Sequence, residues 1–159
     1  VATAQGMAAC FSEEKVRCMG RSARGVKAIE LQPGDEVVGL VRIDPDGYIL
    51  TVTEQGKGYL CEHTDYPRHN RGGKGTLNYR VTEESGRVIA VLAVRMEDEL
   101  MAVADDGVMI RVPVKGIRVC KRPAGGVWVM RPTEGAKVAT IALAEMTAAD
   151  AEPEPEPQE

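Results

Sequence analysis

Aromatic side chains are scarce in this 159-residue sequence, which holds one Trp, four Tyr and one Phe. A surface that stacks unpaired bases needs aromatics interleaved with basic residues, and none are placed that way, which argues against a single-strand or RNA stacking platform. Tyr66, Tyr79 and Trp128 read instead as packing residues at the junctions between structural units. Histidine is rarer still, with two residues. The four cysteines, Cys10, Cys18, Cys61 and Cys120, form no CxxC pair, and Cys61-x-His63 stands without a second pair at zinc-ligand spacing. Four reduced, structural thiols fit a reducing cytoplasm. No run of about 18 apolar residues occurs, and the opening VATAQGMAAC has no charged leader, so membrane spanning and secretion are both disfavoured.

Catalytic constellations are also missing. RGGKG at 71–75 superficially matches a phosphate-binding P-loop, but the motif's first glycine falls on Arg68 and its Ser/Thr position on Gly75. Asp44-Pro45-Asp46-Gly47 and Glu97-Asp98-Glu99 fall at predicted turns, where acids are common for reasons unrelated to metals. No Ser/His/Asp or Cys/His set shares a repeat position. The expectation is a chain with no catalytic residue, no metal site and no cofactor of its own.

What the sequence does hold is a repeat of about fifty residues. VRCMGRSARGV (16–26) recurs as YPRHNRGGKGT (66–76) and IRVCKRPAGGV (117–127). Gly25, Gly75 and Gly126 keep steps of 50 and 51, as do the turn glycines Gly6, Gly56 and Gly107. The strand starts Val37, Val88 and Val138 lie 51 and 50 apart. Within a repeat the signals are short strands: Val88 to Val94 is an apolar run suited to a strand covered on both faces. Val108 to Val114 alternates, and Pro113 suggests an edge. Asp46-Gly47, Gln55-Gly56, Ser85-Gly86 and Asp106-Gly107 read as hairpin turns. No segment carries a helical stripe, and the helix-friendly stretch 136–151 sits where the register demands a strand.

The fold class is therefore all-β, a propeller-like array of four-stranded blades of about fifty residues with about three blades present. Residues 1–14 read as the end of a preceding blade, 15–64 and 65–114 as blades, 115–146 as a partial last blade and 147–159 as a disordered acidic tail. Radial repeats need at least four blades to close, so the chain is expected to belong to a larger ring or to associate to complete one.

The net charge of −4 conceals a division. Asp150, Glu152, Glu154, Glu156 and Glu159 have no basic neighbour, which leaves 20 Lys and Arg against 24 − 5 = 19 acids in the body. Alternating Glu and Pro should keep this end extended, able to visit a cationic surface of its own chain. The basic residues are concentrated too. Windows 16–25, 66–75 and 117–126 contain Arg17, Arg21 and Arg24; Arg68, Arg71 and Lys74; and Arg118, Lys121 and Arg122. That is nine of 20 basic residues with no acid, where 24/159 × 30, about 4.5, would be expected. One cationic loop per blade makes a curved stripe along a rim, a shape that suits bent duplex DNA held through its phosphates. Gly72, Gly73 and Gly75 would let main-chain N–H groups approach phosphate oxygens. A protein-docking propeller is the competing reading, because blade faces often serve as docking surfaces.

RGGKG, taken with VRCMGRSARGVKAIEL, GDEVV, ILTVTEQGKG, YPRHNRGGKG, VTEESGRVIAV and DELMAVADDGVMIRVPV, resembles the C-terminal domain of DNA gyrase A over nearly the whole chain. The resemblance implies a β-pinwheel, in which blades exchange strands, and a non-catalytic module that wraps duplex DNA so that the holoenzyme introduces negative supercoils. It implies an ATP-dependent type II topoisomerase as parent, with ATP and Mg bound elsewhere, gyrase B and the rest of gyrase A as partners, and a bacterial, nucleoid-associated, cytoplasmic setting. The gyrase box reads Gln-Arg-Arg-Gly-Gly-Lys-Gly and belongs to the first blade; His69-Asn70-Arg71-Gly72-Gly73-Lys74-Gly75 departs in its first two places and resembles a later-blade relative. Topoisomerase IV, the sister enzyme, generally lacks a good box, so RGGKG tilts the resemblance towards gyrase. The family's DNA-cleaving tyrosine belongs to the amino-terminal part of gyrase A, so Tyr48, Tyr59, Tyr66 and Tyr79 inherit no such role.

Overall fold

The computed structural model of the protein describes residues 1–144; the acidic tail expected at 147–159 lies outside them. Three antiparallel sheets follow one another along the chain. At the centre of each is a hairpin: β1 (Ala2–Thr3) with β2 (Met7–Ala8), β4 (Tyr48–Thr53) with β5 (Lys57–Glu62), and β8 (Glu99–Ala104) with β9 (Met109–Pro113). Gly6, Gly56 and Gly107 close these hairpins at φ of +84°, +82° and +86°, a left-handed conformation that glycine adopts without steric cost. The outer flank of each hairpin's first strand is taken by a strand about 35 to 40 residues further on: β3 (Val37–Gly39), β7 (Val88–Val94) and β11 (Val138–Leu143). Residues 138–143 are thus a strand, as the repeat register demands.

The fourth strand of a sheet comes from the next copy. β6 (Thr76–Leu77) pairs with β2 through Met7↔Leu77 and Ala8↔Thr76, and β10 (Val127–Trp128) pairs with β5 through Gly58↔Val127 and Lys57↔Trp128. Each arm carrying such a strand leaves its own hairpin, crosses to the preceding sheet and returns. Among the described residues the third sheet has three strands, with β9 at its edge, and Pro113 ends that strand. Asp46-Gly47 and Ser85-Gly86, expected as hairpin turns, instead carry the chain between sheets, because β3 and β4 lie in different sheets, as do β6 and β7. A turn signal cannot tell whether the strands it joins will pair.

The core lies between consecutive sheets. Ala2 and Ala8 of the first meet Ile49, Tyr59, Cys61, Val88 and Val91 of the second. The other face of the second, Leu50, Val52, Leu60 and Val94, meets Leu100, Ala102, Ala104, Val138 and Ile141 of the third. The middle sheet is therefore covered on both sides, and β7 has no exposed residue. Burial of a side chain such as Leu60 or Leu100 contributes about 1.5–3 kcal/mol. All four thiols are free. Burial, reinforced by the Asp65 carboxylate that accepts from Cys61 Sγ, pushes the Cys61 thiol up to about 12.

A polar knot sits within this packing. Tyr59 Oη donates to the Asn78 carbonyl, Tyr66 Oη to Asn78 Oδ1 at 2.6 Å, and Asn78 Nδ2 to Thr51 Oγ1 at 3.0 Å. Tyr79 Oη donates to the Gly125 carbonyl at 2.5 Å, and its ring stacks on Tyr59 with centroids 5.7 Å apart. Tyr66 and Tyr79 are buried at unit junctions, as expected. Trp128 is not. It is 46% exposed on β10, the outer strand of its sheet, with Lys57 Nζ and the Arg131 guanidinium each 5.2 Å from the centre of its ring.

Candidate nucleic-acid interface

The three cationic windows occupy the arms that cross between sheets. Each begins after a single 3-10 turn, at Glu13–Lys15, His63–Asp65 and Val114–Gly116, and ends at a glycine of positive φ: Gly25 at +79°, Gly75 at +73° and Gly126 at +72°. Packing requires the last two of these glycines. A Cβ on Gly75 would stand 2.5 Å from the Ala8 carbonyl oxygen, and one on Gly126 would stand 2.8 Å from the Gly58 backbone.

The arms lie beside one another in chain order. His69 N–H donates to the Cys10 carbonyl at 2.8 Å, and Cys120 N–H to the Leu60 carbonyl at 2.8 Å. Gly72 N–H reaches the Ala28 carbonyl at 2.7 Å, while the Gly73 carbonyl accepts from Glu30 N–H at 2.8 Å. Tyr79 and Ala124 form the matching bridge one repeat later. The second arm therefore runs along the first, and the third along the second.

The predicted residues divide into two groups. Arg17, Arg21, Arg24, Arg68, Gly73, Lys74, Arg118 and Lys121 are exposed. Among the described residues none of the nine cationic side chains forms an ion pair; Lys57, Arg87, Arg95, Arg111 and Lys137 do. Arg71 and Arg122 are half-buried and point inward. Arg71 Nε donates to the Lys15 carbonyl at 2.8 Å and Nη1 to the Lys27 carbonyl at 3.2 Å. Arg122 Nε donates to the Asp65 carbonyl at 2.8 Å, and Nη1 to the Leu77 carbonyl and Thr76 Oγ1, both at 2.9 Å. Gly72 likewise uses its N–H within the fold, so of the three box glycines Gly73 is the one in open space with its surface exposed. Lys15 and Lys27, both exposed, flank the first loop and lengthen its positive stretch; a ten-residue window stops just short of each.

Among the described residues no group of three or more His, Cys, Asp or Glu is placed to hold a metal, and no helix is long and apolar enough to cross a membrane. What the arrangement can do is present exposed cations, none ion-paired among the described residues, on adjoining arms.

Successive hairpin-centred sheets that borrow their outer strands from the next repeat define a β-pinwheel, a propeller variant. A family profile described as "DNA gyrase C-terminal domain, beta-propeller" matches residues 1–44, 47–95 and 98–145. DNA gyrase A of Staphylococcus epidermidis is 40% identical over 144 residues, covering 89% of this chain and 16% of that protein. DNA gyrase A of Staphylococcus aureus is 40% identical over 142 residues, covering 88% of this chain and again 16% of that protein. In structure, a C-terminal domain of DNA topoisomerase IV superposes with TM-score 0.83 at 23% identity, over 91% of this chain and 45% of that one. A DNA gyrase A C-terminal domain superposes with TM-score 0.82 at 23% identity, over 89% and 48%. The chain belongs to the DNA gyrase C-terminal domain family. It spans about a sixth of the length of the curated relatives it matches.

Proposed function

We propose that this chain is a non-catalytic DNA-holding and DNA-wrapping module of DNA gyrase A. Bent duplex lies along its cationic arms, and the parent enzyme, an ATP-dependent type II topoisomerase of the bacterial cytoplasm, uses that bend to introduce negative supercoils. ATP and Mg act on other parts of the holoenzyme, which joins this chain to gyrase B and the rest of gyrase A. The observation that carries the reading is the side-by-side order of three arms whose cationic windows hold no acid and are neutralised by no described carboxylate.

Geometry supports a backbone reader more than a base reader. The exposed cations are arginines and lysines on irregular arms, which carry no α-helix and no long ribbon to enter a groove. Curving a duplex of 20–30 base pairs costs on the order of 1–6 kcal/mol, which phosphate contacts spread over several modules can offset. Identity of 40% to gyrase A proteins favours gyrase over topoisomerase IV.

The test is salt dependence. If each arm neutralises two or three phosphates, log K for duplex binding should fall against log salt with a slope of about −5 to −8. A slope near zero would overturn the reading and favour protein docking.

A further inference from the structure

We propose that Arg71 and Arg122 are positioning residues: each staples together the two ends of the preceding cationic arm, fixing how one module sits on the next and hence the curvature of the rim. The curvature part rests on the DNA-holding reading; the staple itself rests on geometry alone.

The two side chains use the same atoms on the same positions one repeat apart. Nε takes the carbonyl of Lys15 in one case and Asp65 in the other; Nη1 takes Lys27 and Leu77. Acceptors step by 65 − 15 = 50 and 77 − 27 = 50, while the donors step by 122 − 71 = 51. The acceptors bracket the arm: Lys15 and Lys27 stand on either side of 16–26, and Asp65 and Leu77 on either side of 66–76. A guanidinium can do this because its N–H groups are fixed in a planar fork, whereas an ammonium is a single point that cannot hold two separated carbonyls in one geometry. The stapled arms make few ladder bonds of their own: the second carries only the two-residue β6, and no strand lies within 16–26 of the first.

Lys74, exposed on the stapled arm, is the matching control for direct phosphate contact.

The experiment compares Arg71→Lys and Arg122→Lys with Lys74→Ala and Arg118→Ala in the whole chain; Arg118, like Lys74, is exposed. Amide hydrogen exchange is read first, without DNA. A staple predicts that Arg71→Lys speeds exchange at Gly72 and Glu30, the amides joining the second arm to the first, by tenfold or more, while core amides such as Leu50 of β4 are unchanged; unchanged exchange at Gly72 and Glu30 overturns the proposal. With duplex, Arg71→Lys and Arg122→Lys should keep the wild-type salt slope but lose bending seen by end-to-end energy transfer. Lys74→Ala and Arg118→Ala should each flatten the slope by about 0.9, one phosphate's worth. Should Arg71→Ala flatten the slope by that amount and Arg71→Lys restore both slope and bend, Arg71 is a phosphate contact and the staple is refuted. A wild-type slope near zero sinks the DNA-holding reading while leaving the exchange result to decide the staple. If Arg122→Lys does not fold, Arg71→Lys carries the test.

Discussion

The Arg122 guanidinium carbon stands 4.5 Å from the centre of the Tyr66 ring, whereas the residue one repeat earlier, in the same relation to Arg71, is Val16. Two arginines with the same backbone acceptors therefore differ in what lies beneath them. A guanidinium over an aromatic face gains about 0.5–1 kcal/mol at a partly exposed site, added to charge-assisted hydrogen bonds. Arg122→Ala should lower stability by about 2–3 kcal/mol and Arg71→Ala by about 1 kcal/mol, as read by urea midpoints at constant m-value. Arg122 also donates to Thr76 Oγ1, a bond Arg71 lacks, so equal losses would show that neither the ring nor that bond contributes.

The box glycines should separate fold from binding. Gly75 has φ +73° and would drive a Cβ to 2.5 Å from the Ala8 carbonyl, so Gly75→Ala should cost about 2–4 kcal/mol. Gly73 has open space around it and should accept alanine within about 0.5 kcal/mol. If its main chain meets a phosphate, Gly73→Ala will weaken duplex binding at unchanged thermal midpoint. A Gly73→Ala protein with wild-type affinity would remove that contact from the interface.

Alkali should loosen the polar knot. Burial holds the phenols of Tyr59, Tyr66 and Tyr79 above the ordinary value of 10.0 in the folded chain, since a phenolate there would be desolvated. A raised folded value favours the neutral, folded form. The stability these groups lend is complete below pH 10 and is lost as pH climbs past it. Urea midpoints should fall above pH 10, and phenolate absorbance should lag behind that of free tyrosine until unfolding releases it. Ordinary titration of all four tyrosines in the native protein would contradict this.

The charge of the C-terminal residues gives a fourth prediction. Residues 150–159 carry five negative charges, which would compete with phosphates for the cationic arms. Removing 150–159 should tighten duplex binding several-fold at low salt, and the gain should vanish near 0.5 M salt, where screening is short-ranged. Unaltered affinity at low salt would leave this segment without the role.

What can be read from sequence is whatever repeats in side chains or in glycine. Gly6, Gly56 and Gly107 announce hairpins because a tight turn between strands needs φ above zero, and Val37, Val88 and Val138 announce strands because they recur in register at the start of an apolar run. The arms are legible as charge. Strand exchange is not, since β6 and β10 have two residues apiece and no alternation can show in two. Nor can the inward turn of Arg71 and Arg122 be seen, because a carbonyl acceptor leaves no mark on sequence; only the matched steps of 15 to 65 and 27 to 77 betray it, once the partners are known. Trp128 misleads for a related reason: its size suggests burial, but the strand it sits on is an outer one.

The two-residue ladders at Thr76–Leu77 and Val127–Trp128 have a mechanical meaning. On the proposed reading a duplex held in a curve would recoil, and its pull would pass through the very peptides that moor one sheet to its predecessor. Tension applied to such a cargo would be tension on the molecule's own seams, and these short moorings are where it would yield first.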